Sequence, residues 1–255
     1  TACYRDHRLA ALCEVGGEPD RFALEPRDFH ARMRRRAQTQ PLGLTATATH
    51  DHKRGEDTRM RLALLSELHR PWAALAKRLD ALGRPHRSPV GPSAADAYLL
   101  HQLLAALFGS DAPTRLCERL EAYMMKAARE AKRRTSWVRP DAAYEAALAR
   151  YVRAMTTDAA VATALAPFAG RLAALGFVNT ISQTVLKHCV AGVPDLYRGA
   201  ELLDLSLVDP DNRRPVDFET RAAWLREMRP LLDTPDVDVL RRWAAAADEK
   251  LKLYV

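Results

Sequence analysis

The run Thr47-Ala48-Thr49-His50-Asp51-His52-Lys53-Arg54 sets a carboxylate between two imidazoles and directly before two long cationic side chains. Neighbouring positive charge favours the ionised form, so Asp51 reads as a carboxylate held ionised at the end of the strand. His50 and His52 stand two residues apart, a spacing that can also ligate a metal ion if other strands supply further ligands. The plainest reading is a polar loop that caps the helix after it, and only the surrounding elements decide among the three.

Residues 42–48 alternate apolar side chains with threonine and read as a short buried strand that ends at this cluster. Catalytic groups of (β/α)8 barrels sit at such C-terminal strand ends. Residues 192–201, which include Tyr197-Arg198-Gly199-Ala200-Glu201, read as a second short strand ending in a polar loop, and a dense polar loop follows over residues 207–217. Its Asp209-Pro210-Asp211-Asn212 core is a turn former, and Asp209, Asp211, Arg213 and Arg214 are expected to lock the loop as an ion network.

Between the two strands lies helix upon helix. Asp57 and Thr58 are expected to cap a helix carrying Met60, Leu64, Leu65 and Leu68, and Pro71 starts another with Trp72, Leu75, Leu79 and Leu82 on one face. A Gly/Pro/Ser-rich linker at residues 83–93 interrupts, and helices follow at residues 94–108, 113–132, from Pro140, and at 159–175. The stripes Leu116, Leu120, Tyr123, Met124, Ala127 and Tyr144, Leu148, Tyr151, Met155 read as core. A short helix is predicted at residues 179–187, a helix at 25–36, a buried strand at 8–15 and the start of a strand at 253–255. A crossover between parallel strands needs far less chain than this excursion, which is therefore an insertion or a separate helical domain.

A chain of 255 residues suits one large domain or parts of two, and its formal charge is +7 from 39 Lys and Arg against 32 Asp and Glu. The basic residues are interleaved with acids; only residues 32–36 and 132–134 form runs, both read as solvated helix faces or ends, and no aromatic-interleaved stripe points to nucleic acid. Cys3, Cys13, Cys117 and Cys189 follow no metal or disulfide spacing, so a reducing, cytoplasmic setting is expected. No apolar run is expected to reach the length of a membrane span. The chain opens at Thr1 without an initiator Met and stops at Leu253-Tyr254-Val255, and is expected to be cut at both ends.

Blocks at residues 1–5 with Glu14-Val15-Gly16-Gly17, and at 49–57, 123–137, 182–187 and 192–217, resemble in their order and spacing the maltooligosyltrehalose synthase family of the α-amylase superfamily. The resemblance implies a mainly α chain within an α/β architecture: the last strands of a (β/α)8 barrel with a large helical insertion between them. On it, residues 1–55 are the C-terminal portion of the catalytic barrel and 56–176 the insertion; residues 177–218 hold the last barrel strand, helix and loop, and 219–255 the final helices and the start of a C-terminal domain. His50-Asp51 matches the superfamily's final catalytic motif, which makes Asp51 the transition-state stabiliser and His50 a sugar ligand; Lys53, Arg54, Trp137 and Tyr197 are the other substrate-binding candidates. Tyr197 and Glu201 read first as support for the site floor, and Trp137 reads equally as a glucose platform or as packing on the insertion.

The implied enzyme is a (1→4)-α-D-glucan 1-α-D-glucosylmutase, an isomerase of trehalose biosynthesis. It turns the reducing-end α-1,4 linkage of a maltooligosaccharide into an α,α-1,1 linkage without metal or cofactor. A maltooligosyltrehalose trehalohydrolase would follow it in the pathway without required contact; no nucleic-acid or membrane partner is expected. The family's nucleophile and acid/base precede these blocks, so the chain alone is expected to be inactive. The sequence departs from the family at Cys13, His52, Ala191, Arg198 and Leu203, where Asn, Thr, Pro, Gln and Trp are usual. Two other readings remain: a metal-dependent hydrolase using His50 and His52, and a non-catalytic helical module that binds carbohydrate or a partner.

Overall fold

In α5 (Pro113–Ala131) the side chains of Leu116, Leu120, Tyr123, Met124 and Ala127 are all buried, as their spacing along one helical face requires. The same holds for Tyr144, Leu148, Tyr151 and Met155 on α6 (Ala142–Thr157) and for Trp72, Leu75 and Leu79 on α3 (His69–Gly83). Each large apolar side chain so buried contributes about 1.5–3 kcal/mol. The structure is a computed structural model and describes residues 2–209 and 211–255. Thr1 of the first motif block and Pro210 of the predicted turn lie outside the described residues.

The remaining elements are α1 (Pro26–Thr39), β1 (Leu44–Ala46), α2 (Glu56–Glu67), α4 (Ala94–Leu107), α7 (Ala159–Cys189), β2 (Val193–Asp195), α8 (Phe218–Asp233), α9 (Val237–Ala246) and α10 (Lys250–Tyr254). The chain is thus mostly helical, with one two-stranded parallel sheet. It divides into two compact units, residues 1–20 with 58–175, and residues 21–57 with 176–255.

In the first unit α4 is the central helix, with Leu99, Leu100, Leu103, Leu104 and Leu107 buried together with the polar His101 and Gln102. Ser93 caps it, accepting the Asp96 N–H at 3.2 Å. Gln102 holds the N-terminal segment: its Oε1 accepts the Ala10 N–H at 2.8 Å and its Nε2 donates to the His7 carbonyl at 2.8 Å. Arg5 Nε adds a bond to the Ala131 carbonyl at 2.7 Å. These ties explain why residues 1–20 group with the helices of the first unit.

Three predicted elements differ. The expected strand at residues 8–15 is a 3-10 turn at Ala10–Leu12, because Cys13 N–H bonds back to the Ala10 carbonyl at 3.0 Å and the Gln102 side chain takes the Ala10 N–H that a partner strand would need. The strand expected at the C-terminal end is α10, wound by bonds such as Val255 N–H to the Leu251 carbonyl at 3.1 Å. The helices expected at 159–175 and 179–187 are one, α7 of 31 residues, which runs through Gly176 and Asn179. Joined, α7 is also long and apolar enough by composition to cross a membrane, with a mean hydropathy of 1.6 in its best window, contrary to expectation. Almost half of that window, 44%, is buried within the chain, including Val161, Leu165, Ala169 and Leu172.

Candidate active site

The second unit places the His50–Arg54 run directly after β1. β1 and β2 run parallel, with Leu44 opposite Val193, Thr45 opposite Pro194 and Ala46 opposite Asp195. Arg36 of α1 fastens the start of both strands. Its Nε donates to the Ala191 carbonyl at 2.8 Å, and its Nη2 to the carbonyls of Gly43 at 3.1 Å and Leu44 at 2.8 Å and to Thr45 Oγ1 at 3.0 Å. The basic run read as a solvated face therefore contains a strand clamp. Gly192 enters β2 at φ +128, in the backbone region that L side chains avoid, and a β-carbon there would fall 2.5 Å from the Gly43 carbonyl oxygen.

Beyond β1 the chain turns on Thr49. The Thr49 N–H donates to His52 Nδ1 at 2.9 Å and the Thr49 hydroxyl lies 2.8 Å from the same nitrogen. A backbone N–H can only donate, so Nδ1 holds the lone pair, the hydroxyl donates as well, and a neutral His52 carries its proton on Nε2. His52 thus braces the turn through the nitrogen nearest its backbone. His50 and Asp51 lie outside this brace, their side chains 68% and 71% exposed, with His50 Nε2 3.5 Å from Asp51 Oδ2. A pair so open to water is worth little energetically and leaves both groups accessible to a ligand. Among the described residues no three His, Cys, Asp or Glu side chains gather as a ligand set for a metal ion.

The turn is fixed again on its far side. Val208 N–H donates to the Lys53 carbonyl at 2.9 Å, Gly55 N–H to the Ser206 carbonyl at 2.8 Å, and Arg54 pairs with Leu207 as an antiparallel bridge. Arg54, expected among the sugar-facing groups, is 1% exposed, whereas Lys53 is half-buried. Asn212 Nδ2 reaches the His50 carbonyl at 2.9 Å. The expected ion network is present in the same loop, with Arg213 Nε 2.7 Å from Asp209 Oδ1 and Arg214 Nε 3.3 Å from Asp211 Oδ1.

Below the turn lies a cluster that the sequence reading missed. Asp57, predicted to cap α2, sits within its first turn and points inward with Glu56. Lys252 Nζ of α10 is 2.7 Å from Glu56 Oε1, 2.7 Å from Asp57 Oδ2 and 3.0 Å from the Leu202 carbonyl, its three ammonium donors all used. Thr180 of α7 donates to Asp57 Oδ1 at 2.6 Å, Asp204 N–H to Asp57 Oδ2 at 2.6 Å, and the Thr47 hydroxyl to Glu56 Oε2. Lys187 completes the charge balance nearby.

Burial opposes every charge in this cluster, and the partners decide the outcome. For Glu56 burial pushes the carboxyl up, yet the Lys252 ammonium, the Lys252 and Thr47 hydrogen bonds and the Lys187 charge outweigh it and hold the group below its usual range. For Lys252 burial pulls the amine down, but Asp57 and Glu56 raise it above its ordinary value. Burial pushes Asp57 up, with the charge on Glu56 adding to that, against the Lys252 ammonium and the Thr180 hydroxyl. Lys187 is pulled down by burial and by Lys252, against the acids Glu56, Asp195 and Asp57. Glu56 and Lys252 thus form a charged pair that ties residue 47, at the end of β1, to residues 56 and 57, at the start of α2.

Tyr197 follows β2 half-buried, its carbonyl accepting the Ala200 N–H at 3.0 Å, while Glu201 pairs with Arg221 Nε at 3.1 Å. Trp137 belongs to the other unit. It is 54% exposed, donates from Nε1 to Glu130 Oε1 at 2.8 Å, and carries the Arg129 guanidinium 4.8 Å from its ring centroid.

Over 228 residues the chain is 37% identical to the putative maltooligosyl trehalose synthase of Mycobacterium tuberculosis strain H37Rv, which covers 89% of the chain and 29% of that protein. The chain is homologous to a segment of the maltooligosyltrehalose synthases. The solved maltooligosyltrehalose synthase from Arthrobacter ramosus matches 99% of the chain at a TM-score of 0.81 and 35% identity, using 30% of its own length. Another maltooligosyl trehalose synthase structure matches 100% of the chain at a TM-score of 0.85 and 29% identity, using 33% of its length. The chain thus spans about 29% of the length of the curated relatives it matches. No protein-family model matches it. These synthase relatives do not favour a metal-dependent hydrolase.

Two of the departures from the synthase pattern have a visible structural role. His52 is the brace of the turn on Thr49, and the Cys13 thiol donates to the Asp6 carbonyl at 3.1 Å. Arg198 adopts φ +26 before Gly199 at φ +91, a tight corner behind Tyr197. Nothing in the structure explains Leu203 in place of an aromatic.

Proposed function

We propose that this chain is the segment of a (1→4)-α-D-glucan 1-α-D-glucosylmutase that stabilises the glycosyl transition state of an intramolecular transglucosylation. The observation that carries the reading is the match to maltooligosyltrehalose synthases over nearly the whole chain. In this reading β1 and β2 are the last two strands of a (β/α)8 barrel, with residues 56–176 inserted between them. The parallel register of the pair supports that, as does the exposure of Leu44, 71%, on a strand type otherwise buried on both faces.

The reaction breaks the bond between C1 of the penultimate glucose and O4 of the reducing-end glucose. A carboxylic acid protonates O4 as a carboxylate nucleophile bonds to C1 and the C1–O4 bond breaks; the freed glucose turns, gives its anomeric O–H proton to the carboxylate that the acid has become, and bonds through O1 to C1 as the bond between C1 and the nucleophile breaks. Both carboxyl groups then come from outside these 255 residues. Asp51 faces the oxocarbenium-like ring, where a fixed carboxylate lowers the barrier as positive charge develops. His50 and Lys53 donate to sugar hydroxyls beside it, Arg54 supports the turn from beneath, and Tyr197 offers a ring face to sugar; Trp137, in the other unit, is by itself a candidate glucose platform. Asp51 is open to water in this chain, so the rest of the enzyme must close over it to keep the intermediate from hydrolysis. The substrate is a maltooligosaccharide, the product passes to a trehalohydrolase, and four cysteines joined by no disulfide suit a reducing cytoplasm.

The test is a chimera in which this chain replaces the homologous segment of the Arthrobacter ramosus synthase. It is expected to convert maltopentaose to a trehalose-terminated product, and Asp51→Asn to slow it by at least about 100-fold. The chain alone is expected to give no turnover. Turnover by the chain alone, or an Asp51→Asn chimera as fast as its parent, overturns the proposal.

A further inference from the structure

The first unit carries a basic recess that the proposed reaction does not use. It has a volume of about 160 Å³ and is walled by Arg5, His7, Asp96, Arg133, Arg134 and Tyr144, with small side chains of α4 and α5 between them. It opens onto two shallower grooves that share Arg133, one reaching Lys132 and Arg139, the other Arg8. The run Lys132-Arg133-Arg134 follows α5 at a left-handed corner, Lys132 φ 55, that turns these side chains out of the helix.

What distinguishes this recess from an ordinary solvated basic face is the state of its donors. Arg5 spends only Nε, on the Ala131 carbonyl at 2.7 Å, and neither Arg133 nor Arg134 meets an acceptor or acid among the described residues. Both ring nitrogens of His7 lie against carbonyl oxygens, of Ala95 at 2.8 Å and of Tyr4 at 2.9 Å. The acids close by are already engaged. Asp96 accepts from the Tyr144 hydroxyl and from Ser93 Oγ at 2.7 Å, Asp6 is paired with Arg8 at 2.6 Å, and Asp141 caps α6 through the Tyr144 N–H at 3.0 Å. Three guanidinium groups against the one Asp96 carboxylate leave the recess two charges positive.

We propose that this recess binds a dianionic phosphate group, held by the unspent guanidinium donors of Arg5, Arg133 and Arg134. Guanidinium forks match phosphate oxygens in pairs, and a dianion matches the excess charge. A neutral sugar would leave that charge unbalanced. The phosphate comes either free or as the ester of a small sugar, whose body the adjoining grooves accommodate.

The test is calorimetric titration of the protein with sodium phosphate at pH 7.5 and low salt, with Arg133→Gln, Arg134→Gln and, as a control on an exposed arginine of the other unit, Arg32→Gln. Arg133 and Arg134 are exposed and unengaged, so neither substitution disturbs packing; circular dichroism checks this. The expected result is saturable binding that weakens at least about tenfold in each recess variant, the fold-change of a lost charge-assisted bond, and is unchanged in Arg32→Gln. Tighter binding of glucose 6-phosphate than of orthophosphate identifies a sugar phosphate; equal binding identifies free phosphate. No saturable binding, equal weakening by Arg32→Gln, or binding of maltotriose at these arginines without binding of phosphate overturns the proposal.

Discussion

Lys252→Met tests how firmly the buried cluster holds the turn that carries Asp51. Lys252 Nζ lies 2.7 Å from Glu56 and 2.7 Å from Asp57, and all three side chains are 1% exposed. At an effective dielectric near 20 each such contact is worth about 6 kcal/mol. Desolvating three ions costs several kcal/mol apiece, so the intact cluster adds little over an apolar replacement. Removing the ammonium alone is different: it leaves two carboxylates in the interior with their desolvation uncompensated, a cost of about 3–5 kcal/mol. For a chain of this size that is a fall in melting temperature of roughly 6–20 °C. The triple variant Lys252→Met, Glu56→Gln, Asp57→Asn removes charge from both sides, keeps the Thr47, Thr180 and Asp204 hydrogen bonds, and is expected to regain most of the loss. Urea and thermal unfolding followed by circular dichroism measure both. A single substitution costing under about 1 kcal/mol, or a triple variant no better than the single one, refutes the reasoning, since a surface pair would behave that way.

Three further outcomes follow from the same geometry. Burial, and then the charge of Arg87, push His101 down to about 4 from 6.5; the unfolded chain therefore takes up a proton that the folded chain refuses, and stability present above pH 6.5 falls by about 3 kcal/mol as the pH drops to 4. Urea titrations at pH 7, 5 and 4 should show that fall in the parent and a flatter profile in His101→Gln, which keeps a partner for the Tyr151 hydroxyl. Gly83→Ala would set a methyl 3.0 Å from Cε2 and Cζ of the buried Tyr151 ring, an overpacking expected to lower stability by about 1–3 kcal/mol in denaturant titration. Asp51→Asn should leave stability within about 0.5 kcal/mol, its side chain being mostly in water, so that any loss of turnover in the chimera reports chemistry and not unfolding.

The helices were legible in the sequence because a helix declares itself locally. Leu116, Leu120, Tyr123 and Met124 repeat at the helical period, and all four are buried. Two elements failed for a physical reason: residues 8–15 and 253–255 are short apolar runs, whose period does not separate strand from helix or turn. α7 was divided at Gly176 and Asn179, residues that punctuate helices only where the chain is free to leave one.

The candidate site divides along the same line. Asp51 and His50 stand out by residue type, a carboxylate beside imidazoles at a predicted strand end, while their proposed role comes from the resemblance to the synthases. Asp57, just beyond the His50–Arg54 run, reads from sequence only as a helix cap and Glu56 carries no signal of its own, since an acid at a helix start has a sufficient local explanation in capping and the helix dipole. Nothing near Lys252 signals its role; it is the third residue of the five-residue α10, almost 200 positions from its partners, |i−j| of 196 and 195. A buried lysine can be anticipated only from the acids it neutralises, and those acids are known to be buried only once β1, α2, α7 and α10 are folded together. The exposed carboxylate is therefore a property of the motif, and its fixed position is a property of the fold, which is why Lys252→Met, remote in sequence from Asp51, is the substitution that separates the two.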